Sequence, residues 1–161
     1  MLENILYITG SCIFGGILGF YLNSKITNKI IYYEMVKKDK FKTYYDLLNQ
    51  WLDLKNKNVS LESYFMDKGI ENIAIYGMGE LGHHLYEELK ESKIQIKYAI
   101  DKSSSKIYSN LKLYDFEDDF ENVSAIVVTP TYAFDQIEKK LKEKIDCTIL
   151  SLEDIINYLK L

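Results

Sequence analysis

The chain has 161 residues, 47% of them hydrophobic and 27% charged, with a formal net charge of −4. That is room for one ordinary domain plus an appendage, and too much apolar content for a disordered chain. One Pro and eight Gly exclude collagen-like or low-complexity architecture, and two Cys (Cys12, Cys147) exclude a disulfide scaffold or a Cys-rich zinc site. All twenty basic residues are Lys, so no bidentate guanidinium site exists. Residues 1–70 hold nine Lys and seven acids, residues 71–161 eleven Lys and seventeen acids. This balance argues against nucleic acid as a partner, and the early Lys excess, just after an apolar run, points to a membrane surface.

Residues 5–22, ILYITGSCIFGGILGFYL, carry no charge. As a helix they span about 27 Å, close to the ~30 Å hydrocarbon core of a bilayer. The start carries Glu3 and no Lys, and no Ala-x-Ala follows, which argues against a cleaved signal peptide. The expectation is a transmembrane anchor over residues 1–23, the alternative being a buried helix in a soluble chain. Lys25, Lys29, Lys37 and Lys38 all follow the run. The positive-inside rule then gives a single-pass protein of the cytoplasmic membrane with its C-terminal domain in the cytoplasm. Ser11, Gly15 and Gly19 repeat every fourth residue, a spacing that lets helices approach closely. They read as a face for a homodimer or a membrane partner, or as glycine tolerated in lipid.

Residues 24–70 read as a helical connector. Tyr44, Leu47, Leu48, Trp51 and Leu52 form an apolar stripe suited to packing on the C-terminal domain. Asn56-Lys57-Asn58 breaks the helix. Ser60 suits the N-cap of a helix over 61–68, and Gly69 its C′ position.

Residues 72–76, NIAIY, read as a buried strand, followed at once by Gly77-Met78-Gly79-Glu80-Leu81-Gly82 and a helix with Leu81, Leu85 and Leu89 on one side. A second strand over 94–100 ends at Asp101, nineteen residues past Gly82. Strand, GxGxxG, helix, strand and acid at that offset form a dinucleotide-binding pattern. Gly77 permits a tight turn, Gly79 lets phosphate approach the backbone, and Gly82 lets the helix sit close to the strand. The N–H groups and dipole at the helix start attract an anion. Asp101 suits ribose hydroxyls and would repel a 2′-phosphate, so NAD or a nucleoside-diphosphate-sugar is expected and NADP disfavoured. The cofactor-binding candidates are Gly77, Met78, Gly79, Glu80, Leu81, Gly82, Asp101, Lys102, Thr129 and Pro130. The alternative is a scaffold that keeps its glycines for packing. Thr129 reads equally as a ligand contact or as the end of its strand.

Further strands are expected at 111–114, 123–129 and 147–150, with helices over 134–144 and 152–159, the last capped by Ser151. The fold class is therefore α/β. We expect a Rossmann-like doubly wound parallel sheet of about five strands, order 3-2-1-4-5, over residues 71–161, preceded by a transmembrane helix and the helical connector. Ligand would lie across the C-terminal strand ends.

The runs IAIYGMGELGHHLYEEL, YAIDK and AIVVTPTYAF resemble the small Rossmann domains encoded with bacterial surface-polysaccharide genes, described as nucleoside-diphosphate-sugar epimerase-like. LLNQWLDLKNKNVSLESYF resembles their helical lead-in, so the likeness covers about residues 41–161. Similar domains form the nucleotide-sugar-binding half of sugar acetyltransferases. The resemblance implies nucleotide or nucleotide-sugar binding at Gly77, Gly79, Gly82 and Asp101, and no reaction by itself.

No catalytic constellation is legible. Tyr33–Lys37 and Tyr86–Lys90 match a Tyr-x-x-x-Lys spacing, but in a chain of fourteen Tyr and twenty Lys such matches arise by chance. His83 and His84, adjacent on a helix, cannot both face one metal and read as surface or packing residues. Cys147 reads as a small core residue, and Glu117, Asp118, Asp119 and Glu121 as a solvated acidic loop; no metal is expected. The expectation is a membrane-anchored nucleotide or nucleotide-sugar binding accessory of surface-polysaccharide synthesis. The alternatives are an NAD-dependent oxidoreductase or sugar-modifying subunit completed by a partner chain, and a non-binding scaffold for membrane assembly.

Overall fold

The computed structural model describes residues 2–101 and 111–160, with side chains for Tyr21 and from residue 23 onward. The chain divides into two units, Met1–Tyr44 and Tyr45–Leu161. Helix α1 runs from Leu2 to Asn56. The expected membrane span lies within it, and its side chains, Tyr21 excepted, fall outside the described residues. Among the described residues no helix is long and apolar enough to cross a membrane.

Helix α1 ends where the sequence breaks, and the reason is local. Asn58 takes a left-handed φ of 58°. Its N–H donates to the Lys55 carbonyl (2.9 Å) while the Val59 N–H donates to Leu54 (2.9 Å), a Schellman closure with Asn at the C′ position. Helix α2, Glu62–Asp67, is closed the same way by Gly69 (φ 67°), with Ile70 N–H donating to Phe65. The Ser60 hydroxyl accepts from the Glu62 N–H at 3.2 Å, so Ser60 caps from one residue outside the helical dihedrals.

Strand β1 is Asn72–Tyr76, helix α3 Glu80–Leu89, strand β2 Gln95–Ile100 and strand β3 Lys112–Tyr114. Strand β4, Ala125–Val128, leads through a 3-10 turn at Thr131–Ala133 into helix α4, Phe134–Lys142. Strand β5, Thr148–Ser151, and helix α5, Leu152–Leu159, follow, with the Ser151 hydroxyl accepting from Glu153 N–H as its cap. The five strands form one sheet in the order β3-β2-β1-β4-β5, and every pair is parallel. The architecture is α/β and compatible with a Rossmann-like fold.

Strand alternation explains both covered faces. Ala74, Tyr98, Ile100, Ile126 and Val128 share one face with Leu141 of α4. The alternate residues Ile73, Ile75, Ala99 and Val127 are equally buried, as are Leu81, Leu85 and Leu89 of α3, which packs on β1 and β2. The register shifts between Ile73 and Ala74, and this irregularity leaves Lys97 outside the β1 pairing while keeping Tyr98 inward.

The α1 stripe differs from its expected form. Leu47, Trp51 and Leu54 are buried, whereas Leu52 is 56% exposed. Burial follows positions three and four apart along one narrow line, and Leu52 lies off it. The joint is polar at its centre. The Glu88 side chain, 5% exposed, accepts from Trp51 Nε1 (2.7 Å) and Leu61 N–H (2.9 Å), and pairs with Lys55 at 3.2 Å.

Candidate functional site

The glycine turn sits at the C-terminal end of β1, where the loop must leave the sheet and enter α3 almost at once. Gly77 has φ 92°, a conformation that disfavours any side chain. A Cβ there would also meet Pro130 Cδ at 2.7 Å and Thr129 Oγ1 at 2.9 Å. A Cβ on Gly82 would strike the Gly77 carbonyl oxygen, so this glycine does let the helix sit against the turn. Gly79 differs: no heavy atom lies within 4 Å of a Cβ built there. It is the N-cap of α3, so Glu80, Leu81 and Gly82 form the first helical turn rather than a loop. Glu80 places its own carboxylate at the positive end of the helix dipole.

The turn is held at three points. Gly77 N–H donates to the Ile100 carbonyl at 2.8 Å. Met78 N–H donates to Asp101 Oδ2 at 2.6 Å. The Thr129 hydroxyl, buried, donates to the Gly77 carbonyl at 2.6 Å. Asp101 and Thr129 thus clasp the loop from β2 and β4, its neighbours on either side.

Beside the turn lies a cavity of about 900 Å³, bounded by Tyr76, Gly77, Asp101 and Pro130 at the strand ends, by Asp115, Phe116 and Glu117 beyond β3, and by Tyr132, Gln136, Lys140, Glu143 and Lys144 on the α4 side. Of the ten candidate positions, Gly77, Asp101 and Pro130 line it. Met78, Leu81 and Thr129 are buried, Gly79, Glu80 and Gly82 belong to the start of α3, and Lys102 lies outside the described residues. Tyr76, Asp115, Phe116, Tyr132 and Lys140 were not among the sequence candidates. Their signal was positional: each of the first four stands at or just beyond the C-terminal end of a strand.

Four carboxylates and two ammonium groups face this cavity. Lys144 is already engaged, donating to the Phe116 carbonyl and to Asp118 O at 3.2 Å while lying 5.0 Å from the ring centres of Phe116 and Phe120. The wall therefore accepts hydrogen bonds more readily than it binds anions, and suits hydroxyl or amino groups. Burial, with the carboxylates of Asp101 and Asp115 behind it, raises the Tyr76 phenol above its ordinary value, so it is neutral through physiological pH. Thr131 is buried, and its hydroxyl has no hydrogen-bond partner among the described residues. A buried orphan between two cavity-lining residues is a group that a ligand or water would satisfy.

Several other chemistry-bearing side chains are engaged within the fold. His84 packs edge-on to Trp51, ring centres 6.4 Å apart. Cys147 is half-buried against the core, and burial raises its thiol, so it is no thiolate at neutral pH. In the acidic loop Glu121 pairs with Lys112 at 3.0 Å and accepts from the Tyr114 hydroxyl at 3.1 Å. Asp118 caps the Asp115 N–H at 2.8 Å. Compared with known families, curated proteins and solved structures, the chain matches none of them.

Proposed function

We propose that the chain binds a nucleotide or nucleoside-diphosphate-sugar at the C-terminal edge of the sheet, as a membrane-anchored accessory of surface-polysaccharide synthesis facing the cytoplasm. One juxtaposition carries the reading. The turn that begins in the cavity wall at Gly77 opens at Gly79 onto the α3 N-terminus, where main-chain N–H groups can meet a diphosphate. The adjoining cavity offers acceptors and rings for a ribose or sugar. The wall's carboxylates favour a hydroxylated or amino-bearing end over a third phosphate group, which again disfavours NADP. The resemblance and the apolar run over 5–22 supply the polysaccharide and membrane parts of the proposal.

A second reading has its own observation. Asp101 and Thr129 both spend hydrogen bonds on the turn itself, as a scaffold that binds nothing would have them do. The deciding experiment is calorimetric titration of the full chain in detergent with NAD, NADH and a panel of UDP- and GDP-sugars. Saturable binding of a nucleotide-sugar without turnover supports the accessory. Turnover of a nucleotide-sugar with NAD would instead make it an oxidoreductase. No heat from any of them, with the chain folded, leaves the scaffold.

A further inference from the structure

In the first unit, Ser11, Leu22, Tyr33 and Tyr44 stand eleven residues apart, and so do Gly15, Ile26 and Lys37, and Gly19, Ile30 and Phe41. Eleven residues are slightly more than three turns of helix, so within α1 these positions form one nearly straight seam. Every position in it is small or apolar except Lys37. From Ile26 to Phe41 the seam's apolar side chains are exposed, Ile26 by 60%, Ile30 56%, Tyr33 60% and Phe41 59%, while Tyr44 at its end is half-buried. Most helical stability in proteins comes from packing an apolar face, and this one is bare over residues 26–41.

We infer that the seam pairs with the seam of a second copy of this chain, in parallel and in register. Three features select this occupant. The first is handedness. An eleven-residue repeat winds helices around each other right-handedly, and the small-xxx-small spacing of Ser11, Gly15 and Gly19 favours a right-handed crossing too. One geometry therefore serves the whole seam.

The second is charge. Lys29 flanks the seam on one side and Glu34, five residues on, flanks it on the other. In a parallel pair such residues face each other across the interface, twice by symmetry. Among the described residues, Lys29 lies over the ring of Tyr33, 5.9 Å from its centre. An antiparallel pair would separate Lys29 from Glu34 and set the small residues against Val36–Tyr44. The third is continuity: a membrane surface would cover only side chains at headgroup level, whereas the seam runs unbroken through the apolar stretch and beyond it. Lys37, in the seam, keeps its ammonium at the rim along its aliphatic stem and pins the register.

The test uses the full chain in detergent, with Cys12→Ser and Cys147→Ser as background. Sedimentation equilibrium should give a dimer. Ile30→Cys should form an interchain disulfide on mild oxidation, as should Phe41→Cys, while Tyr32→Cys, on the opposite side of the helix, should not. Lys29→Glu should weaken the dimer about tenfold or more, and adding Glu34→Lys should restore it. A monomer at every concentration would overturn the inference. So would equal cross-linking at 30 and 32, or a monomer that floats with phosphatidylserine vesicles with its Ile30→Cys thiol shielded by lipid.

Discussion

The Met78 amide donates to the Asp101 carboxylate across 2.6 Å, tying the glycine turn to the end of the neighbouring strand. The acid at the position typical of a ribose contact therefore has a second duty, to hold the turn it would serve. Replacement by Ala leaves a buried N–H unpaired and should cost about 1–3 kcal/mol of stability. Asp101→Asn keeps an oxygen acceptor and should cost under about 1 kcal/mol, yet lose about 1.5 kcal/mol or more of ligand binding with the charge. Urea unfolding beside calorimetric titration separates the two duties. Unchanged affinity in the Asn variant would remove Asp101 from the ligand site.

The two outer glycines of the motif and the middle one should respond differently to alanine. Gly82→Ala sets a methyl against the Gly77 carbonyl and should destabilise by about 2–3 kcal/mol. Gly79→Ala meets nothing and has no strained φ. Its stability should change by under about 1 kcal/mol, the cost of a poorer N-cap. Loss of binding in Gly79→Ala with the fold intact would locate the phosphates; retained binding would move them elsewhere.

Thr131→Val tests the orphaned hydroxyl. Removing a buried polar atom that has no partner among the described residues should leave stability unchanged or raise it by up to about 1 kcal/mol. Weakened ligand binding in the same variant would make the hydroxyl a ligand contact. A clear loss of stability without ligand would show that it is satisfied inside the fold.

Glu88 predicts the largest loss outside the turn. With Trp51 Nε1 and the Leu61 N–H both left unpaired, Glu88→Ala should cost about 3 kcal/mol. The Lys55 pair adds little, because its ammonium is exposed. Trp51 is the sole tryptophan, so its fluorescence reports this joint directly. An unshifted emission spectrum and unfolding midpoint would refute the assignment.

Alkaline pH should weaken the fold in a defined order. Burial raises Cys147 above its ordinary 9.0, and raises Tyr64, Tyr76 and Tyr98 above 10.0. A pKa higher in the folded chain than in the unfolded one means that the fold favours the protonated form. Stability from these groups is therefore whole below pH 9 and declines as pH rises through 9 and then 10. Urea midpoints from pH 7 to 10.5 should show this, and Cys147→Ser should delay the onset. A flat profile would contradict it.

Strand order and most helix positions were legible because apolar runs, alternation and glycine punctuation agreed with one another. The Asn56–Asn58 break and Gly69 were readable for the same reason, each being the residue type that a left-handed helix ending favours. What escaped was lateral. Asp101 could be read as facing a ligand, but not as reaching sideways to Met78, since that depends on how two loops meet. Tyr132 and Lys140 reach the cavity only through the path of the 3-10 turn into α4. Glu88 carries a signal in the sequence: three residues past Leu85 and seven past Leu81, it sits on the buried line of α3. A charge on an apolar stripe implies donors waiting for it.

The Glu88 joint also bears on how such a chain can be recombined. The helix that begins at the glycine turn ends on the lead-in, so each leaves buried polar groups unpaired without the other. A crossover placed after residue 70 would graft the sheet onto foreign sequence with a buried carboxylate and none of its donors. One placed before Tyr45 would carry the joint whole. The boundary at which this unit can be exchanged between proteins thus lies inside α1, a helix that shows no interruption there.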